Sequence, residues 1–424
     1  MALDPVETLQ LLIQAPSVNP MGRPLTEAVQ GEGRVTDLLQ KICEQHGWPW
    51  LRQRVHPERE NLVALVAGDL PVEEGGELLL WDVHQDTVPV EGMTVAPFGG
   101  EVRDRRVYGR GACDVKGAMA AMVCALSRAS KTAGEPSPSP ALQGRGNNGR
   151  PTVVIAFTAN EECGFTGARA LCDLWDSERR AGVKITGGTT TPERLFPRPP
   201  DAAIVAEPTE FHVVVAHHGV VRWRCHTHGR AAHTSRPDQG INAIYAMAEV
   251  IRSIEGYHKW LRETAPEHPL CGRPSACVST IHGGVGVNTV PERATIEIDR
   301  RCSPQYLPAD GYRQLVEHIA ANADVGDCRI EHDPPFMDSN GLSDKNNREL
   351  AERVATLARA MGREGKLVGV PYGTDAAAIS AVGVPTIVFG PGAIAQAHTA
   401  DEFIEIKELE LGADVFYRIA CGEL

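Results

Sequence analysis

The chain places histidine and carboxylate residues just past the ends of strand-like apolar runs. Glu77-Leu78-Leu79-Leu80-Trp81-Asp82-Val83 leads into His84-Gln85-Asp86, and Thr152-Val153-Val154-Ile155-Ala156-Phe157 leads into Asn160-Glu161-Glu162. Ala202-Ala203-Ile204-Val205 leads into Glu207, and Val384-Pro385-Thr386-Ile387-Val388-Phe389 leads into a Gly-Pro-Gly loop that reaches His398. In open α/β sheets, sites form in the crevice beyond the carboxyl ends of the strands. Separate runs that feed imidazole and carboxylate to one rim are the layout of a metal site, and so of a metal-assisted reaction.

The signals differ in strength. His84 and Asp86 are two apart, so a strand running through both would point them to one face. A histidine ligand needs its other ring nitrogen held by a carboxylate or carbonyl, but His-x-Asp alone is a weak pattern. Asp114, in Gly109-Arg110-Gly111-Ala112-Cys113-Asp114-Val115-Lys116-Gly117, precedes a run of small residues. It can cap that helix, bind a metal, or do both. Glu161-Glu162 says more. Adjacent carboxylates at a buried strand end repel each other and lose hydration. A cation beside one removes the conflict and leaves the other free for proton transfer; the plain alternative is an exposed acidic turn. A neutral imidazole with carboxylates suits zinc, and cobalt or manganese can occupy such a site. His84, a shared Asp114, Glu162, Glu207 and His398 suffice for two ions roughly 3.5–4 Å apart.

The elements that must hold these residues are legible in outline. Residues 4–15 read as an amphipathic helix, with Asp4 as cap, Pro5 in the first turn and Val6, Leu9, Leu12 and Ile13 inward. A second helix is expected over about 25–46, and a close-packing helix over 117–129. Residues 61–66 and 77–83 read as buried strands. Residues 130–151 and 186–200, rich in Ser, Pro, Gly, Asn or Thr, read as a surface loop and an irregular insertion. After about residue 212 the pattern changes. Strands at 220–227 and 294–298 alternate with helices at 241–254 and 312–321, an α+β order. A helix at 350–361 and a strand at 384–389 then resume the α/β style. The expected division is a catalytic domain in two pieces, 1–212 and 334–424, interrupted by an inserted domain at 213–333.

The 424 residues fit roughly two to three domains. A net charge of −13 argues against a nucleic-acid partner. No apolar stretch is long enough to span a bilayer. The first residues lack a basic region and an apolar region, so a cytoplasmic location is expected. Eleven cysteines with no Cys-x-x-Cys pair read as reduced, mostly buried thiols.

The strings His84–Pro89, Gly109–Gly117, Asn160–Glu162, Glu207–Thr209, Ala232–Ile244 and the Gly-Pro-Gly loop through His398 to Glu402 resemble the zinc-dependent aminoacylase/carboxypeptidase family. They occur in that family's order over nearly the whole chain. The resemblance implies an α/β fold, a mixed-sheet zinc-peptidase catalytic domain carrying an inserted α+β, ferredoxin-like lid and dimerisation domain. It implies two zinc ions, replaceable by cobalt or manganese, with His84, Asp114 and Glu207 matching one ion's ligands and Asp114, Glu162 and His398 the other's. Asp86 matches the group that orients His84, and Glu161 the general base. His233 matches a histidine that reaches the partner subunit's site in a homodimer. Asn288 and Arg301 match contacts to a substrate carboxylate, and Gly373 and Thr374 a substrate-contacting loop. The plain reading of Arg301 is a salt bridge with Asp299. Val83 departs from the glycine usual before the first histidine.

Glu207 resembles the family's deacylases more than its peptidases, and residues 281–284 and 389–398 look closest to acetylornithine deacetylase. The implied activity is hydrolysis of an N-acyl-L-amino acid. A dipeptidase, a carboxypeptidase or a succinyl-diaminopimelate desuccinylase could use the same metals, and a non-catalytic metal-stabilised binding protein is the remote alternative.

Overall fold

The computed structural model describes residues 3–131 and 149–424. The loop expected over 130–151 falls almost wholly outside them. The chain forms two compact units. The first comprises Met1–Val215, Asp344–Val368 and Thr374–Leu424; the second comprises Ala216–Ser343 with Gly369–Gly373.

The first unit is built on a nine-stranded mixed sheet. Its middle is parallel: Thr386–Val388 lies beside Ala202–Val205, then Leu78–His84, then Thr152–Thr158. All four are buried along their length, as runs rich in Leu, Val and Ile covered on both faces must be. Antiparallel strands extend the sheet on both sides, including Arg59–Val66, Trp50–His56 and the edge strand Ile185–Gly188. That last strand corrects the expectation of an irregular insertion at 186–200. Its Thr-Gly-Gly sequence carries no strand periodicity, and pairing to the edge at Leu51–Gln53 imposes the conformation.

Helix Pro5–Ile13 begins as its sequence dictates, with Asp4 Oδ1 accepting from the amides of Val6 and Glu7 at 2.9 Å. Helix Gly33–His46 is shorter than expected, since 25–32 is turn. Lys116–Ala129 is buried almost all round, and its small residues let it lie tight against its neighbours. A Cβ at Gly117 would stand 2.5 Å from the Ala112 carbonyl oxygen. Trp81 fills the core against Phe416, ring centroids 5.2 Å apart. Truncating so large a buried ring would cost about 3–5 kcal/mol.

The second unit is an antiparallel sheet in the order Ser275–Gly283, Arg293–Cys302, Gly219–His228, Arg329–His332, with Met337–Ser339 pairing further along Gly219–His228. Ala243–Thr264 and Pro308–Asn322 supply its helices, and Val221, Trp223, Ile296, Ile298, Met247 and Leu315 its core. The chain order strand-helix-strand-strand-helix-strand with this spatial order is the ferredoxin-like arrangement. Among the described residues no cysteine forms a disulfide, and most are buried. No helix among the described residues is long and apolar enough to cross a membrane.

Candidate metal centre

Within the first unit the parallel strands deliver their polar residues to one end of the sheet. His84 closes its strand, Glu161 and Glu162 follow Thr158 by a short turn, and Glu207 follows Val205. His398 arrives on the loop after Thr386–Val388, in a left-handed conformation with φ 61°. His84, Asp114, Glu161 and Glu207 are each at most 8% exposed.

The Asp114 carboxylate lies between the two histidines. Its Oδ1 is 3.1 Å from His84 Nε2, and its Oδ2 is 3.3 Å from His398 Nε2. His398 Nε2 is also 3.3 Å from Glu162 Oε2, and His84 Nε2 is 3.9 Å from Glu207 Oε1. Donor atoms of His84, Asp114 and Glu162, and those of His84, Glu161 and Glu207, gather within 4.8 Å of one another. Asp114 does not cap the following helix; the cap position is Val115, so both carboxylate oxygens serve the cluster.

Asp86 lies beyond the end of the strand, so the strand alternation does not aim it. Its main-chain carbonyl accepts from His84 Nδ1 at 2.9 Å. A carbonyl can only accept, so Nδ1 carries a proton; in the metal-free cluster Nε2 is protonated as well and donates to Asp114, and a bound cation would take that proton's place. The Asp86 carboxylate is 3.8 Å from that ring nitrogen. It accepts instead from the amides of Glu161 and Glu162, at 3.1 and 3.2 Å.

The electrostatics ask for a cation. Burial pushes Glu161 and Glu207 well above the usual carboxylate range, with neighbouring carboxylates adding to it. Burial and then Asp114 raise Glu162. Burial would also raise Asp114, but hydrogen bonds from His398 and His84 outweigh it and hold Asp114 low. The same bonds, from Asp114 and then Glu162, push His398 up to about 10. Without a metal the ring protons are thus the cluster's positive charge. Among the described residues no lysine or arginine forms an ion pair with Asp114, Glu161, Glu162 or Glu207. Lys116 turns away and donates to the carbonyls of Leu12 and Ala15, at 3.0 and 2.9 Å. Glu162 Oε1 is buried with no hydrogen-bond partner among the described residues. An orphaned buried oxygen in an imidazole–carboxylate cluster fits a divalent cation.

Sequence reading missed three supports. Glu402, fully buried, accepts from Arg110 Nη1 at 2.6 Å and from the amides of Gly111, Cys113 and Asp114 at 3.1, 2.9 and 3.0 Å. It fixes the loop that carries Asp114. Asp82, read only as part of an apolar run, faces Asp375 beneath the cluster. Burial and then Asp375 push it well up, while burial pushes Asp375 up to about 7. Thr158 Oγ1 donates to Asp375 at 2.9 Å. The third support is the set of polar residues around Asn160. Only Asp82, a charged residue inside an apolar run, carried a sequence signal; Glu402 and the residues around Asn160 sit in polar strings, and spacing connects none of them to a partner.

The remaining expected residues lie elsewhere. Thr374, in the first unit, accepts from Ala376 N at 3.2 Å at the start of helix Ala376–Ala381. Gly373 groups with the second unit. In that unit His233 is exposed on a two-residue strand paired with Thr289–Val290, its Nδ1 2.8 Å from Ser235 Oγ. Asn288 is exposed on the adjoining turn. Arg301 holds Asp299 through Nε at 2.7 Å and Nη2 at 3.1 Å, the salt bridge of its plain reading, and Arg222 Nε takes the other side of Asp299 at 2.6 Å.

Residues 80–421 match the sequence profile of peptidase family M20/M25/M40. The chain is 30% identical to an acetylornithine deacetylase of Photorhabdus laumondii, over 95% of this chain and 92% of that one. It is 26% identical to a probable succinyl-diaminopimelate desuccinylase of Staphylococcus epidermidis, over 91% and 92%. Among solved structures, a tripeptidase from Staphylococcus aureus superposes with a TM-score of 0.71 at 19% identity, covering 100% of this chain and 99% of that one. A dinuclear metal-binding peptidase from Bacillus subtilis superposes with a TM-score of 0.61 at 15% identity, covering 98% and 96%. These two likenesses concern the fold.

Proposed function

The chain belongs to peptidase family M20/M25/M40 and is a hydrolytic enzyme, and from that premise we propose that it hydrolyses the amide bond of an N-acyl-L-amino acid, using two divalent metal ions. The observation that carries the reading is the Asp114 carboxylate, with one oxygen toward His84 and the other toward His398. His84, Asp114 and Glu207 would hold one ion, and Asp114, Glu162 and His398 the other. Zinc suits the donors, and cobalt or manganese would serve. When bound, such ions supply a water of lowered pKa and polarise an amide carbonyl.

The protein's own residues do the rest. Glu161 has no partner comparable to those of Glu162, and burial strengthens its hold on a proton. Its carboxylate is suited to take a proton from the attacking water and return it to the leaving nitrogen. Asp86 fixes where that carboxylate starts by holding the Glu161 amide. His233 and Asn288 would contact the substrate, His233 from the partner subunit of a homodimer. The exposed edge strand Ser275–Gly283, with Ile281 54% exposed, supports a subunit contact on the second unit. Arg301 would take the substrate carboxylate with donors not already given to Asp299. Gly373 and Thr374 would contact the substrate. A cytoplasmic location is part of the same proposal.

The acyl amino acid is preferred over a dipeptide because of the 30% identity to an acetylornithine deacetylase over nearly the full length. Amine release should be measured from N-acetyl-L-ornithine, other N-acetyl amino acids, N-succinyl-diaminopimelate and dipeptides, with zinc- and cobalt-loaded enzyme. Preference for an acetylated amino acid is the expected result. Cleavage of dipeptides alone moves the protein to the peptidase branch, and metal binding without turnover of any amide overturns the enzymatic reading.

A further inference from the structure

A second buried polar cluster lies behind the turn that carries Glu161 and Glu162. Glu32, immediately before helix Gly33–His46, is fully buried, and Arg59 is 6% exposed. Arg59 Nε meets both Glu32 oxygens at 3.1 and 2.9 Å, and its Nη2 closes the fork on Oε1. The remaining arm, Nη1, donates to Asn160 Oδ1 at 2.7 Å. Glu32 Oε1 also accepts from the Asn160 amide at 3.2 Å. Asn19 Nδ2 donates to Asn160 Oδ1 at 3.1 Å and to Asp86 Oδ2 at 2.7 Å. Asn160 Nδ2 donates to Thr166 Oγ1 at 2.9 Å, and the Asn160 carbonyl accepts from Phe165 N at 2.9 Å.

Every polar group of Asn160 is therefore engaged, at a residue with φ 68°. Left-handed backbone is unfavourable for a residue with a side chain unless surrounding bonds hold it. Here they do. The consequence is directional: Asn160 turns the chain so that the next two amides both reach Asp86 while their carboxylates go to different tasks. Glu162 faces His398, and Glu161 does not.

We propose that the Glu32–Arg59 pair is a positioning device for the reaction, acting through Asn160 to hold the Glu161–Glu162 turn in register with the metal ligands. The inference rests on the functional reading above for its effect on turnover, but not for its effect on metal binding. A buried ion pair is not needed for stability, since apolar groups of similar volume often replace one without loss. Its use here is orientation: a planar fork spans Glu32 and Asn160 at once, which a point charge on a flexible stem does not.

The test uses the paired substitution Glu32→Gln with Arg59→Met, which leaves no lone buried charge. Three quantities are read on the full chain: melting temperature, cobalt affinity of the metal-free protein, and kcat and KM on the amide that the wild-type enzyme cleaves best. The expected result is a melting temperature within a few degrees of wild type and KM within about threefold. The second cobalt ion should bind at least about tenfold more weakly, and kcat should fall by about ten- to a hundredfold, the loss a misplacement of roughly 1 Å can bring. Wild-type kcat and cobalt affinity in a folded double variant would overturn the proposal. If the double variant does not fold, Arg59→Lys decides by the same readings, because it keeps the charge beside Glu32 and loses the fork. If the wild-type protein cleaves no amide, the functional reading fails, and the weakening of the second cobalt ion alone decides the positioning claim.

Discussion

Two groups of buried carboxylates lie in the first unit, and they are built in opposite ways. Glu402 receives a guanidinium and three backbone amides, and Glu32 receives the fork of Arg59 and the Asn160 amide. Among the described residues, Glu161, Glu162 and Glu207 receive no lysine or arginine, and Glu162 leaves one buried oxygen unbonded. A carboxylate buried with its donors complete builds structure. One buried without them raises the free energy of the fold unless a cation arrives. The contrast separates the scaffold of the site from the site.

The comparison can be broken by exchanging the two behaviours. The largest effect is expected at Glu161. Glu161→Gln should lower kcat by about 10²–10⁴-fold with metal content unchanged, because it removes the proton carrier and no ligand. Near-normal kcat would sink its role as base. At Glu402 the effect should instead be on folding. Glu402→Ala leaves Arg110 charged and buried, so chemical denaturation should show a loss of about 3–5 kcal/mol. A loss below 1 kcal/mol would mean that the cradle is not what holds the Asp114 loop.

Metal removal should act only on the group that lacks cationic partners, Glu161, Glu162 and Glu207. Chelated protein should be inactive and less stable, and zinc at about a hundred times its Kd should restore about 2.7 kcal/mol of stability. An unchanged melting temperature on adding zinc would contradict the claim that the cluster is incomplete without a cation.

The second unit offers a smaller, acid-dependent contrast. His217 is fully buried, and burial lowers its pKa from 6.5 to about 4. It is neutral in the fold, while the unfolded chain protonates it near 6.5, so the unfolded state binds more protons in between. Its contribution is present above pH 6.5 and lost as pH falls toward 4, with about 2 kcal/mol gone by pH 5. Denaturation of wild type and His217→Gln at pH 7 and pH 5 checks this; an equal loss in both would remove His217 as the cause.

Much of the site was legible because its residues end apolar runs. The buried strands to His84, Thr158 and Val205 are runs of Leu, Val, Ile and Ala that leave little choice of conformation. The α+β order of the second unit was readable from the alternation in Gly219–His228 and Arg293–Cys302. Other parts were not. Ile406–Ala420 packs on Lys116–Ala129 with a clear apolar face but was passed over in favour of the motif before it. The resemblance pairs Asp86 with His84; Asp86 meets that ring through its main-chain carbonyl, while its carboxylate serves the next turn, which no local pattern shows. The Asn19, Glu32, Arg59 and Asn160 network joins residues up to 141 positions apart. Such bonds follow from tertiary packing, and no local pattern encodes them.

The central claim is that Asp114 joins two metal ions. The most direct measurement is a cobalt titration of the metal-free protein, followed by its visible absorption and by metal analysis. Two ions per chain are expected for the wild type, and Asp114→Ala should lose tight binding of both. One ion or none in the wild type, or two bound with unchanged affinity in Asp114→Ala, would contradict it.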